Sequence, residues 1–394
     1  MEDVNESKRE LENDAGDFKR KTAKNEILGQ VKSSVDRLSE LCNNLSETQS
    51  KIISAVQQLQ EGQNEIKDKQ TELLRLTRKV TNNASAHNSH DEDKSSSDFL
   101  AGKFDIIVCG GENKNGSLES VESFNIIENT WKEEKNMTEK RGGAAAFVHD
   151  GNIFVTGGSN GEKCCNSVES LNVERSGWIK TKNEMPKPCK GHKVIYWNEK
   201  IVMTGGLNRM RPPEVSNEIY AISLKNPPEK NFLTFMLERR YCHASFIMDE
   251  EVLIFGGRTS NQDVDIKNNV SSYSLLFEES QNLKSLPYAV SNMAFVRYEN
   301  KAILIGGIND EGEALDVVLM YDLKTEECKR LPPLNHKRFG CAAVIDESII
   351  VVVGGMNEEE YLDSVEYINL REKTWTELPP MTTKRFLPTA SLCS

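Results

Sequence analysis

The segment Asp105-Ile-Ile-Val-Cys-Gly-Gly111 is a short run of mostly apolar residues that ends in two glycines. The same arrangement of an apolar strand followed by a glycine pair recurs along the chain. The six pairs are Gly110-Gly111, Gly157-Gly158, Gly205-Gly206, Gly256-Gly257, Gly306-Gly307 and Gly354-Gly355. Successive pairs are separated by 47 residues (110 to 157) up to 51 residues (205 to 256). A repeat of about 50 residues that is built from β-type segments predicts a radial array of four-stranded sheets.

Each unit contains further strand signals around its glycine pair. In the second unit, Ala144-Ala-Ala-Phe147 precedes a turn at Asp150-Gly151, and the next strand leads into Gly157-Gly158. An Asp-Gly pair between two apolar runs is a strong hairpin signal. A third strand over Ser167-Val-Glu-Ser-Leu171 and a fourth with Trp178 complete the unit.

The phase of the repeat predicts how the array closes. The array begins with a glycine-pair strand and ends with a strand of the first type, Arg385-Phe-Leu-Pro-Thr-Ala-Ser-Leu-Cys393. We therefore expect the C-terminal strand to complete the first sheet, because this pairing removes an open sheet edge.

The repeats resemble the kelch family. Units one, two and six read Ser120-Val-Glu-Ser, Ser167-Val-Glu-Ser and Ser364-Val-Glu-Tyr, and each is followed by a tryptophan. These tryptophans are Trp131, Trp178 and Trp375. The resemblance implies an all-β, six-bladed kelch β-propeller over residues 99–394 that works by binding proteins. Units three and four lack the tryptophan, have longer loops and are expected to be divergent blades, and unit five has Cys328 at the tryptophan position.

The resemblance also implies a partner-binding face. Related kelch propellers bind partner peptides with residues just after the glycine pair and just after the arginine that opens the first strand. Carried over by position, this face contains Arg141, Arg209, Arg240, Tyr241, Arg258, Arg338, Phe339, Arg385 and Phe386. A basic residue opens most first strands, and in unit three we assign this position to Lys190. The alternative for the strand-opening arginines is pairing with carboxylates inside the blades, and the sequence leaves both readings open.

The N-terminal part of the chain predicts a long α-helical coiled coil over residues 28–80. Every d position of a continuous heptad is apolar, whereas the a positions are apolar early and polar late. The d positions are Val31, Leu38, Leu45, Ile52, Leu59, Ile66, Leu73 and Val80. We expect a homo-oligomer, in the first instance a dimer; the alternative is a single amphipathic helix packed on the propeller. Residues 1–27 form a charged segment, helical or disordered, and residues 81–98 a flexible polar linker.

Composition excludes several classes of function. A net charge of −12 disfavours nucleic acid as a partner, because binding phosphates requires clustered Lys and Arg. No apolar run approaches the roughly 20 residues of a membrane span, and the charged N-terminus is unlike a secretory signal. Nine cysteines without a Cys-x-x-Cys pair indicate free thiols and a cytoplasmic location.

Catalytic and metal-binding patterns are not evident in the sequence. His149, His192, His243 and His336 lie in or beside first strands of different units, a spacing that builds no single metal site. We therefore expect no cofactor, no metal and no enzymatic activity. The expected function is a protein-interaction scaffold or adaptor, with substrate recognition for ubiquitin ligation as its specific form, although no BTB-like pattern precedes the propeller. The alternatives are an actin-binding crosslinker and, least favoured, a kelch-fold sugar oxidase or isomerase.

Overall fold

The computed structural model describes residues 105–172, 177–224, 229–260, 265–276 and 279–393, together with residues 32–34, 37, 39, 43, 44 and 51. The chain divides into two compact units, Met1–Asp93 and Lys94–Ser394. In the first unit the described residues are helical and exposed. The a and d positions of the predicted heptads and the linker at 81–98 lie outside the described residues, so the coiled coil stays a prediction.

The second unit contains six four-stranded antiparallel sheets, which we number as blades 1 to 6. Blade 1 contains β1 (Asp105–Cys109), β4 (Val121–Asn125), β5 (Thr130–Glu134) and β28 (Thr389–Cys393). Blade 2 contains β6 (Ala145–His149), β7 (Asn152–Thr156), β8 (Ser167–Leu171) and β9 (Trp178–Glu184). Blade 3 contains β10 (Lys193–Trp197), β11 (Lys200–Thr204), β14 (Glu218–Ser223) and β15 (Lys230–Phe235).

The remaining three blades follow the same order. Blade 4 contains β16 (Ala244–Met248), β17 (Glu251–Phe255), β18 (Val270–Ser274) and β19 (Ser280–Leu283). Blade 5 contains β20 (Ala294–Tyr298), β21 (Lys301–Ile305), β22 (Val318–Asp322) and β23 (Cys328–Leu331). Blade 6 contains β24 (Ala342–Asp346), β25 (Ile349–Val353), β26 (Val365–Asn369) and β27 (Trp375–Leu378). Two short hairpins, β2 (Glu112–Asn113) with β3 (Gly116–Ser117) and β12 (Leu207–Met210) with β13 (Pro213–Val215), lie in loops that follow glycine pairs.

The first strands of the blades line a common axis. Strands β28, β6, β10, β16, β20 and β24 are each neighbours of the next, and β24 is again a neighbour of β28. This closed cycle makes the unit a six-bladed β-propeller. Because the chain direction alternates within a blade, the glycine pairs and the loops that enter the first strands share one face, the glycine-pair face. The turns between first and second strands lie on the opposite face, the hairpin face.

The hydrophobic core lies between neighbouring blades. In β1, β11, β17, β21 and β25 every residue after the first is buried. Both faces of such a strand are covered, which explains why the second strands read as continuous apolar runs. Between blades 6 and 1, for example, Ile106 and Val108 pack with Val351 and Val353.

The C-terminal strand closes the ring. Strand β28 pairs antiparallel with β1, from Asp105 opposite Cys393 to Cys109 opposite Thr389. Blade 1 is therefore built from both ends of the propeller sequence, and β1 has no open edge.

The tryptophans of the repeat join blades 1, 2 and 6 to the blade before each of them. The Nε1–H groups of Trp131, Trp178 and Trp375 donate to the carbonyls of Pro379, Lys135 and Pro332 at 2.7, 3.0 and 2.9 Å. Each acceptor follows the outer strand of the preceding blade. In blade 5, which lacks the tryptophan, the Tyr321 hydroxyl donates to the equivalent Lys284 carbonyl at 3.0 Å. A residue on the third strand thus replaces the tryptophan of the fourth.

No helix among the described residues has both the length and the apolar character that crossing a membrane requires.

Candidate protein-binding face

The four strand-opening arginines lie inside the blades. Arg141, Arg338 and Arg385 are 0% exposed and Arg240 is 1% exposed. The prediction that these side chains contact a partner is therefore wrong, and the alternative of carboxylate pairing describes three of them. The Arg338 guanidinium donates to Glu366 at 2.7 Å, and Arg141 and Arg385 bind Glu169 and Glu122 in the same way at 3.0 and 2.8 Å.

Each of these arginines forms hydrogen bonds with two neighbouring blades, as Arg338 illustrates. The Arg338 backbone exchanges hydrogen bonds with Gly307 and Leu315 of blade 5. Its Nη1–H donates to the Gly354 carbonyl of blade 6 at 2.8 Å. The buried Glu366 accepts a further bond from the Asn335 backbone at 2.8 Å, so its charge is compensated by both a cation and an amide.

The arginine and the glutamate are lost together in two blades. Cys189 in blade 3 and Val290 in blade 5 hold the arginine position, since their carbonyls accept the same bonds from Gly158 and Gly257. The position of the glutamate is occupied by Tyr220 in blade 3 and by Leu319 in blade 5. Cys189 therefore holds the arginine position in blade 3, and Lys190 is the residue after it. The prediction that Lys190 holds this position was wrong by one residue.

Blade 4 keeps only half of the pair. Buried Arg240 donates to the Gly256 carbonyl at 2.8 Å, but Ser271 stands where the other blades have glutamate. Its carboxylate partner is Glu238 at 3.2 Å, a side chain that is 45% exposed. Burial without an equally buried counter-charge lowers the pKa of Arg240.

A closed ring of backbone hydrogen bonds surrounds the axis at the glycine-pair face. Two residues after the arginine position, each N–H donates to the equivalent carbonyl of the preceding blade at 2.7–3.1 Å. All six residues have φ between 51° and 66°. They are Gly143, Gly191, Cys242, Asn292, Gly340 and Leu387. This axial ring was not predicted from the sequence; the recurrent glycine two residues after the arginine position was the available signal.

Immediately outside the axial ring, each blade extends its first two strands by one more bridge. The residue after the arginine position exchanges backbone hydrogen bonds with the residue after the glycine pair. The bridges join Phe386 to Glu112, Gly142 to Ser159, Lys190 to Leu207, Tyr241 to Arg258, Ser291 to Ile308 and Phe339 to Met356. The structure therefore brings four predicted residues, Tyr241, Arg258, Phe339 and Phe386, to one circle around the axis.

An ion pair spans one side of this circle. Lys190 Nζ lies 3.7 Å from Glu112 Oε1, and the two side chains are 22% and 26% exposed. The Glu112 side chain lies over Gly142, where a Cβ atom would collide with it. Glycine at 142 thus gives the carboxylate of blade 1 access to the lysine of blade 3.

Aromatic side chains occupy the other side. The rings of Phe339 and Phe386 are 5.4 Å apart and edge to face, and Tyr361 lies 6.4 Å from Phe386. All three are half-buried. The ring of Phe386 lies against Gly340, where a Cβ atom would overlap it. Tyr241 is instead buried beneath the surface, and its hydroxyl donates to the Ser260 carbonyl at 3.2 Å.

Two further cations lie on blades 3 and 4. Arg209 is on the β12–β13 hairpin, where it pairs with Glu214 at 3.2 Å and keeps 58% of its side chain exposed. Arg258 is half-buried. We call the surface formed by Glu112, Lys190, Arg209, Arg258, Phe339, Tyr361 and Phe386 the partner face.

The histidines that the structure describes are not gathered at this face. His192 and His243 are fully buried, with Nε2 atoms 3.0 and 2.8 Å from the hydroxyls of Thr156 and Thr204. Exposed His336 pairs with Glu377 at 2.9 Å. In the part of the chain that the structure describes, no group of three or more His, Cys, Asp or Glu side chains is arranged to hold a metal ion.

Comparison with known proteins adds a family match. The family model for the KLHDC2/KLHL20/DRC7 kelch-repeats domain matches residues 62–227 and 233–393. The match begins within the predicted coiled coil, at residues that lie outside the described part.

Relatives among curated proteins match over single stretches of the chain. An F-box/kelch-repeat protein of Arabidopsis thaliana is 27% identical over 146 residues, covering 36% of this chain and 33% of the relative. Alpha-scruin of Limulus polyphemus is 26% identical over 161 residues, covering 39% of this chain and 17% of the relative. Kelch-like protein 23 of Homo sapiens is 25% identical over 164 residues, covering 41% of this chain and 28% of the relative. The matches thus span a third or less of the length of these relatives.

A solved structure shares the fold. The structure of YjhT superposes with a TM-score of 0.57 at 12% identity, covering 69% of this chain and 97% of YjhT. This likeness concerns the propeller architecture alone.

Proposed function

Because the chain belongs to the KLHDC2/KLHL20/DRC7 kelch-repeats domain family, we propose that it is a non-enzymatic interaction scaffold that binds partner proteins through the partner face. The observation that carries the proposal is that aromatic and cationic side chains occupy opposite sides of this surface. Phe339, Tyr361 and Phe386 form an aromatic cluster on one side of the axis, and Lys190 and Arg258 lie on the other. Aromatic and arginine side chains are the groups that most often dominate protein-binding surfaces.

The arrangement favours a particular kind of partner segment. An extended peptide with an aromatic or apolar anchor could bury that anchor against Phe339 and Phe386. An acidic residue of the same peptide could pair with Lys190 or Arg209, of which Arg209 is the more exposed. The rigid backbone of the axial ring would hold these side chains in place, which lowers the entropy lost on binding.

A more specific role is inferred from the name of one matched relative and from the predicted coiled coil. We propose that the chain is a substrate-recognition component for ubiquitin ligation in the cytoplasm; one matched relative is by its name an F-box/kelch-repeat protein. Two propellers held together by a coiled-coil dimer would bind multivalent targets with higher avidity. The same geometry supports the alternative of a cytoskeletal crosslinker, for which purified actin filaments provide the direct binding assay.

Affinity capture with matched variants tests the partner face. We expect the full chain to retain a set of proteins that Lys190→Ala/Arg209→Ala and Phe339→Ala lose. The control is Lys132→Ala/Lys180→Ala, which removes two exposed cations on outer strands, 75% and 51% exposed, that also pair with carboxylates. Identical protein sets from all variants, with unchanged melting curves, would place the binding site elsewhere.

A further inference from the structure

The turns of the hairpin face are acidic. In blades 2 to 6 each two-residue turn between the first and second strands contains a carboxylate, and none of these turns contains Lys or Arg. The carboxylates are Asp150, Glu199, Asp249, Glu250, Glu299 and Glu347. They surround the axis at the end opposite the partner face. A surface that carries one sign of charge attracts partners of the opposite sign.

Turn chemistry does not account for the glutamates. The second turn residue of blade 2 is Gly151, with a φ of 70°. Blades 3 and 4 have Glu199 and Glu250 at the same position, with φ values of 59° and 64°. Tight hairpin turns favour glycine where φ is positive, and a long side chain is uncommon there. These glutamates therefore stand against the local backbone preference.

The turn of blade 4 borders two cavities. Asp249 and Glu250 line a cavity of about 650 Å³, which is formed by the first strands of blades 2 to 5. They also line a cavity of about 630 Å³ at the outer side of blade 4, together with Glu251 and Glu279. Within the described part of the chain, none of these four carboxylates has an ion pair or a side-chain hydrogen bond. We call the four residues and the two cavities that they line the acidic groove.

A buried hydroxyl group in the first cavity lacks a partner. Ser245, the second residue of β16, lines this cavity and is 1% exposed. Its Oγ atom makes no hydrogen bond to any residue that the structure describes. A buried polar group without a partner is costly, and a ligand that hydrogen-bonds it removes that cost. The cavity thus contains a position for a polar group of a ligand.

Part of the apolar lining of this cavity is accessible. Phe147 and Phe246 are buried in the core between blades. Tyr196 is 38% exposed, and Trp197 and Met248 are half-buried. A ligand can therefore contact a small apolar surface beside the carboxylates.

The cations nearby do not neutralise the acidic groove. Arg297 lines the first cavity, where its guanidinium donates to the carbonyls of Ile247 and Glu299 at 2.9 Å each. Lys193 is not part of the lining, and its Nζ lies 5.0 Å from the centroid of the Phe295 ring. The two cavities together have four carboxylates and one guanidinium in their lining, so their net charge is negative.

We propose that the acidic groove binds a basic, amphipathic segment of a partner protein. Lys or Arg side chains of the segment pair with the four carboxylates, and an apolar side chain enters the first cavity beside Trp197. A polar group of the segment hydrogen-bonds Ser245. The acidic groove and the partner face lie at opposite ends of the axis, so this inference is independent of the proposed partner face and adds a second partner to the scaffold.

Fluorescence anisotropy of the full chain with three labelled octapeptides tests the assignment. The peptides are repeats of Lys-Leu, of Glu-Leu and of Lys-Ser, so that the second reverses the charge and the third removes the apolar groups. We expect saturable binding of the Lys-Leu peptide and at least tenfold weaker binding of the other two. No saturable binding, or equal affinity for the Lys-Leu peptide and either of the others, would overturn the proposal.

Matched variants locate the site. Asp249→Asn/Glu250→Gln should weaken binding of the Lys-Leu peptide at least threefold, because it removes two carboxylates at a solvated rim. The control Asp310→Asn/Glu311→Gln removes the same two residue types from an exposed loop of the glycine-pair face and should leave the affinity unchanged. Equal effects of the two variants would mean that the peptide binds to the overall negative charge of the protein.

The wild-type protein provides a second measurement. A carbodiimide joins a lysine amine to a carboxylate that it contacts, with loss of water. We expect cross-links from the Lys-Leu peptide to the carboxylates of the acidic groove, mapped by mass spectrometry of the digested product. Cross-links confined to other carboxylates would contradict the proposal.

Discussion

At the level of single residues, the buried arginine–glutamate pairs hold neighbouring blades together. Arg338→Met would leave Glu366, whose side chain is 1% exposed, buried without its cation. Removing one partner of a buried ion pair typically costs about 3–5 kcal/mol. We expect that loss in the free energy of unfolding, measured by urea denaturation. Arg240→Met should cost clearly less, because its partner Glu238 is solvated. Equal losses in the two variants would contradict this view of the pairs.

Blade 4 offers the reciprocal experiment. Ser271→Glu places a carboxylate where blades 1, 2 and 6 have one, next to Arg240. We expect a favourable coupling of roughly 1–3 kcal/mol between Ser271→Glu and Arg240 in a double-mutant cycle with Arg240→Met. The introduced carboxylate would have a lowered pKa in the folded state, so its contribution should be present above about pH 4.3 and be lost on acidification. A coupling near zero would show that blade 4 holds Arg240 differently.

Two buried histidines make stability depend on pH. Burial lowers the pKa of His192 to about 3 and shifts that of His243 in the same direction. Below about pH 6.5 the unfolded chain binds protons that the folded chain does not, so the free energy of unfolding falls as the pH decreases towards 3. Each histidine contributes at most about 1.4 kcal/mol per pH unit.

His192→Gln should reduce the slope of the free energy of unfolding against pH. The reduction should be at most about 1.4 kcal/mol per pH unit, which corresponds to one proton. Urea denaturation between pH 6.5 and 5 measures the slope. His336→Gln removes an exposed histidine in the same way and is the matched control. A slope that His192→Gln leaves unaltered would mean that His192 binds its proton in the folded state.

At the level of elements, β28 is the strand that closes the propeller. Deleting residues 385–394 removes this strand together with Arg385, which donates to Gly110 of blade 1 at 2.8 Å. We expect the cooperative melting transition to disappear and aggregation to increase, because β1 then presents an open edge. A synthetic peptide of residues 385–394 should restore the transition by adding the missing strand. A cooperative melt of the deleted chain without the peptide would refute the closure argument.

Sequence patterns predicted the blades because glycine pairs and buried second strands are local features. Residue Gly157 shows why the pair is required: it has a φ of 59°, and a Cβ atom there would lie 2.6 Å from the Cys189 carbonyl. The partner face was predicted less well. The burial of Arg141 and its relatives depends on a glutamate 28 residues later in the chain, as in Arg141 with Glu169. The shift of Lys190 by one position became visible only through backbone bonds from the preceding blade.

At the level of the whole molecule, the predicted coiled coil determines how many partner faces act together. Leu38 and Leu45 hold d positions, so Leu38→Asp/Leu45→Asp should convert the expected dimer into a monomer in sedimentation velocity. The control Ser33→Asp/Asn43→Asp adds the same charge at exposed helical residues off the seam and should remain dimeric. Loss of the dimer should weaken capture on surfaces that carry many copies of a partner, while single-site affinity stays the same. A monomeric wild type would leave the propeller to act alone, and a dimeric Leu38→Asp/Leu45→Asp variant would show that these d positions do not form the dimer interface.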